Sequence, residues 1–164
     1  MKKLIVAGLL IVAAGLGTFT YCYWPQKPLP DSVSAMTFAP YPSQKVVYHI
    51  AGGVGLLNRN FDQPLGNIAN HVKAFGSNPF TLKVVINGDG IAMLKRAVHE
   101  KHLSDRVDAL RAKGVVFEVC FNTLKERGID PDTELYGVKR ADIIASGVAE
   151  VAMLESQGYV YMKP

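Results

Sequence analysis

The chain has 164 residues, enough for one domain with its own core, and its 49% hydrophobic and 20% charged content excludes a disordered protein. Its formal net charge of +4 comes from 18 basic and 14 acidic side chains. Lys2 and Lys3 contribute half of it, and the remaining charges are interspersed without a basic run. That pattern gives no electrostatic footprint for nucleic acid.

Lys2 and Lys3 precede an uncharged stretch from Leu4 to Gln26, with Tyr21, Tyr23 and Trp24 at its far end. About 21 residues of helix cover roughly 30 Å, the thickness of a hydrocarbon core. Residues 1–24 are therefore expected to be a signal-anchor helix or a signal peptide, with aromatics at the far interface. Export of the rest to the extracytoplasmic (periplasmic) side follows, either anchored to the membrane or released after cleavage. Cys22 is preceded by Phe19-Thr20-Tyr21, which lacks the small residues of a lipidation site. Residues 25–43 hold five of the nine prolines and form a stiff spacer.

From residue 44 to 164, strand and helix patterns alternate. Lys45–Ile50 is β-branched and aromatic, and leads into Ala51-Gly52-Gly53. Leu65, Ile68, Val72 and Phe75 share one helical face that ends at Gly76. Leu82–Ile86 is a short apolar run closed by Asn87-Gly88-Asp89-Gly90, and Ile91–Val98 reads as helix. Ser104 is expected to cap a further helix that buries Val107 and Leu110 and closes at Gly114.

Val115–Cys120 is the third strand, with a helix starting at Asn122-Thr123-Leu124. Ile143–Ala145 is the fourth, Ser146 leads into a helix, and Tyr159–Met162 is the fifth. Repeated β-α units with continuous apolar strands predict a mainly parallel five-stranded sheet in a three-layer α/β/α sandwich. Strand order stays open.

Ligands of such sheets gather beyond the carboxyl ends of the strands. Cys120 sits there, where the N–H groups of a helix start favour a thiolate. A free cysteine at a strand end is as often buried packing. His49 and Asp89 are candidate neighbours on the same rim, and Asn122 and Thr123 belong to the helix start. No Cys-x-x-Cys pair exists, which argues against a dithiol or a thiolate zinc site. His99 and His102 lack a third ligand, and the glycine loops lack the spacing of nucleotide fingerprints. No metal and no cofactor is expected.

The segment GVVFEVCFNTLKERG, from Gly114 to Gly128, resembles the DsrE/DsrF-like family of sulfur-relay proteins. The matching positions are Gly114, Val115, Cys120, Arg127 and Gly128, and the likeness extends over residues 44–164. The resemblance implies a parallel α/β/α sandwich, often a homo-oligomer. It also implies that Cys120 accepts sulfane sulfur as a persulfide from a donor protein and passes it to an acceptor. The relay members work inside the cell, whereas this domain is expected outside it. The competing reading is a non-catalytic ligand-binding or assembly module with Cys120 structural.

Overall fold

The computed structural model describes residues 28–52 and 61–164. The expected N-terminal segment 1–24 and Cys22 lie outside the described residues. Among those described, no helix is long and apolar enough to cross a membrane. Residues 28–43 include one short helical turn that proline content does not announce, α1 (Asp31–Ser34), which follows Pro30 and is fully exposed.

Phe38–Pro164 form one compact unit. The spacer's last residues already lie on it: the Tyr41 N–H donates to the Ala74 carbonyl at 3.0 Å, and the Pro40 ring meets Gly76. The chain then runs β1 (Lys45–Ile50), α2 (Asp62–Ala74), β2 (Thr81–Ile86), a 3-10 turn (Gly88–Ile91), α3 (Ala92–Ala97) and α4 (Lys101–Arg111). It continues through β3 (Val116–Cys120), α5 (Phe121–Arg127), α6 (Pro131–Glu134), a 3-10 turn (Arg140–Asp142), β4 (Ile143–Ile144), α7 (Gly147–Ser156) and β5 (Val160–Met162).

All five strands are parallel, in the order β4-β3-β2-β1-β5. The steps β1 to β2, β2 to β3 and β3 to β4 all move the same way across the sheet. Right-handed crossovers therefore stack α2 to α6 on one side. Val46, Tyr48, Ile50, Leu82, Val84, Ile86, Phe117 and Val119 face that side and form the main core with Leu65, Ile68, Leu94, Leu103, Val107, Leu124 and Leu135. The return from β4 to β5 passes β3, β2 and β1 in the opposite sense, so α7 crosses the other face. There Val151 and Leu154 pack on Val47 and Val85 in a second, smaller cluster.

Two expectations shift. Ser104 does not cap its helix: α4 starts at Lys101 after the extended Glu100, and the buried Ser104 hydroxyl donates to the Lys101 carbonyl at 2.9 Å. The helix expected at Ile91–Val98 begins as a 3-10 turn. A Cβ on Gly90 would stand 2.0 Å from the Ile50 carbonyl oxygen, so only glycine lets this turn lie on the end of β1. One helix was legible but missed: Asp130-Pro131 starts α6, with the Asp130 carboxylate accepting from the Asp132 N–H at 3.0 Å.

His71 on α2 joins β1 to this core. Its ring stacks on Phe75 at 4.9 Å, Nδ1 meets the Tyr48 hydroxyl at 3.0 Å, and Nε2 meets Gln44 at 3.3 Å. Burial lowers its pKa from 6.5, so the unfolded chain binds this proton more readily than the folded one. The stability from neutral His71 is complete above its unfolded pKa and is lost as pH falls through the lower folded value. The melting temperature should decline as pH drops below about 6.5. In His71→Gln that decline should be shallower, as read by thermal denaturation across this range.

Candidate functional site

Four strand ends converge on one rim of the sheet. β1 brings His49, β2 is followed by Asn87-Gly88, β3 ends on Cys120, and β4 leads through Ala145 to Ser146-Gly147. In register, Val119 and Cys120 lie beside Ile143 and Ile144, so α7 starts next to the cysteine. Side chains alternate along β3, which turns Glu118 and Cys120 to the α7 side while Val119 enters the main core.

Cys120 is a free thiol with 4% of its surface exposed. It occupies the N-cap position of α5 without closing a capping hydrogen bond. Burial pushes its pKa up, but the N–H groups of Gly147, Thr123 and Asn122, with the Thr123 hydroxyl, outweigh burial and leave it below the ordinary thiol value. These donors come from two helix starts on different elements. Their joint effect is to favour a sulfur anion at this position.

The donors are themselves held. The Thr123 hydroxyl accepts the Gly88 N–H at 2.9 Å, which ties the turn after β2 to the first turn of α5. Gly88 has a φ of +51°, and a Cβ there would stand 2.7 Å from the Ala51 carbonyl oxygen. Asn87 Oδ1, an acceptor, lies 3.0 Å from His49 Nε2 and receives its N–H in the tautomer protonated there. The Asn87 side chain also abuts Gly147, where a Cβ would stand 3.0 Å from it. Glycine at the first position of α7 thus allows close approach to β2.

Of the residues expected at the site, Cys120, Asn122 and Thr123 meet. Thr123 acts through both its amide and its hydroxyl, while Asn122 acts through its amide, its side chain being exposed. His49 does not pair with the thiol. It binds Asn87 and sets its ring edge-on to Tyr161, with centroids 6.1 Å apart. Asp89 is 68% exposed and forms an ion pair with Arg127 at 2.8 Å. Gly147, Gly88 and Asn87 were missed as site residues. The signal for Gly147 was present in Ser146-Gly147, since glycine straight after a cap admits close packing of the helix start.

Among the described residues no cluster of three His, Cys, Asp or Glu could hold a metal. His102 instead lies 3.9 Å from Asp62 and 3.8 Å from Glu100, half-exposed on α4.

The sequence profile of the DsrE/DsrF-like family matches residues 34–164. The chain belongs to that family. A solved structure of a protein of unknown function from Methanobacterium thermoautotrophicum superimposes with a TM-score of 0.60. It is 29% identical, covers 74% of this chain, and is itself covered over 99% of its length. No curated protein matches the chain. The DsrE-like domain and its relation to sulfur-relay proteins thus rest on the whole α/β unit rather than on the cysteine segment alone.

The Thr123 hydroxyl serves both the sulfur and the Gly88 amide. Thr123→Val keeps the shape and orphans that amide, so it should cost about 1–2 kcal/mol in urea unfolding. It should also raise the Cys120 pKa, read as thiolate ultraviolet absorbance against pH. Thr123→Ser should restore both.

Proposed function

We propose that this DsrE-like protein handles sulfur outside the cytoplasm, carrying sulfane sulfur as a persulfide on Cys120. The observation that carries the reading is the position of Cys120 at the start of α5 and beside the strand that leads into α7, where backbone N–H groups favour a sulfur anion despite burial. Family membership supplies the chemical context. The extracytoplasmic placement rests on Lys2, Lys3 and the apolar run that follows them.

The step is a thiol exchange at a sulfane sulfur. The Cys120 thiolate attacks the outer sulfur of a donor persulfide R–S–SH. A new S–S bond to Cys120 forms as the donor's own S–S bond breaks, the outer sulfur keeps its proton, and R–S⁻ leaves. No net oxidation occurs. Release to an acceptor thiolate is the same exchange in reverse. The N–H groups that favour the thiolate also favour the persulfide anion that replaces it. Because Cys120 is 4% exposed, the rim has to open for donor and acceptor thiols to reach it.

That burial also favours a second reading, a non-catalytic binding or assembly module with Cys120 as packing. Either way we propose a homo-oligomer, since Val116 on β3 and Val148 and Met153 on α7 are exposed apolar residues. Incubation with glutathione persulfide, followed by intact-mass measurement, separates the readings. The native protein should gain one sulfur, mapped to the Cys120 peptide, and Cys120→Ser should gain none there. A Cys120 that stays unmodified and resists alkylation until the chain unfolds would decide for the module.

A further inference from the structure

Beneath α7, on the same face of the sheet as Cys120, lies a charged cluster that the cysteine chemistry does not use. Lys83 on β2 donates to Glu118 Oε1 on β3 at 2.6 Å and stands 3.6 Å from Glu150 on α7. The side chains are 23%, 9% and 14% exposed, in the order Lys83, Glu118, Glu150. The second Glu118 oxygen is buried with no hydrogen-bond partner. Burial pushes the Glu118 pKa up, and Glu150 and Asp142 add to that against the pull of Lys83.

As a stabilising device this is a poor arrangement. A buried ion pair gives little net stability, and an unpaired carboxylate oxygen adds a desolvation cost. Apolar side chains like Val47 and Val85, which pack under α7 nearby, would cover the same face without that cost. What the cluster supplies is position. Glu118 stands two residues before Cys120 on β3, and Glu150 stands three residues after Gly147 in the first turn of α7. Lys83 is the one cation touching both carboxylates among the described contacts. The path from Cys120 down β3 to Glu118, across Lys83 to Glu150, and back along α7 to Gly147 closes at the helix start that follows Ile144, the strand partner of Cys120.

We propose that Lys83 is a positioning residue that clamps the first turn of α7 to β3 and thereby holds the start of that helix, Gly147, beside Cys120. The clamp works through distance: the strands are locked in the sheet, so the start of α7 is the part free to lift. Its charged surroundings are Lys83 from β2, Glu118 from β3, Glu150 from α7, Asp142 from the turn before β4 and Tyr159 before β5. His49 from β1 lies on the same face and is bound to Asn87.

The inference deepens the thiolate cradle of the proposed function, and its readout needs no sulfur transfer, so the two can fail separately. The full chain in detergent, labelled with 13C-cysteine, is titrated by NMR, following the Cys120 Cβ resonance and using Cys22→Ser to assign the other. Glu150→Ala is the decisive variant. By charge alone, loss of a neighbouring anion lowers a thiol's pKa, whereas loss of the clamp raises it. The expected result is a midpoint raised by about half a unit or more, about a threefold fall in the thiolate-to-thiol ratio at a given pH. Lys83→Met should also raise the midpoint, and Lys83→Arg should restore it. A midpoint that is lowered or unchanged in Glu150→Ala overturns the proposal. Alanine favours helix, so this variant remains informative even if Lys83→Met fails to fold.

Discussion

The return crossing from β4 to β5 is the constraint on which the site depends. Three crossovers in one direction put every other helix of the α/β unit on one face of the sheet. The chain must then travel from one edge to the other, and only α7 makes that journey. A helix that begins beside β4 and ends before β5 has to start over the end of β3. That places its first amide at Cys120, and it makes the cysteine a junction of two helix starts instead of one.

The same crossing explains the uneven chemistry of the two faces. The face under α2 to α6 is covered by apolar side chains, aliphatic and aromatic. The other carries one helix, so its core is four buried residues, and largely buried charges occupy the remaining space. Lys83, Glu118 and Glu150 are tolerable there because solvent reaches part of the cluster. The small apolar contact under α7 also leaves that helix more dependent on specific polar ties than α2 or α4. In the proposed thiol chemistry, a rigid sheet carries the sulfur and a lightly packed helix starts beside it.

Burial and pKa at Cys120 pull in opposite directions, and both have a function in the proposed chemistry. A sulfur 4% exposed is shielded from adventitious oxidation, which the proposed extracytoplasmic role requires. The converging amides keep that shielded sulfur anionic enough to react once exposed.

Much of this was legible in the chain itself. The strands at Lys45–Ile50 and Val116–Cys120 stand out because fully covered parallel strands are continuous runs of β-branched and aromatic residues. Cys120 at a strand end before a helix, and the contribution of Asn122 and Thr123, follow from the local order of elements. Strand order, and with it the pairing of Gly147 with Cys120 and of Lys83 with Glu150, was not legible. These pairs lie 27 and 67 positions apart. Periodicity reports only which side of its own element a residue faces; which elements meet is decided by the direction of each crossover. The sequence by itself therefore determined a parallel α/β domain with a cysteine on its rim. Only the tertiary structure decided that a distant helix start completes the anion cradle, and that His49 and Asp89 turn instead to Asn87 and Arg127.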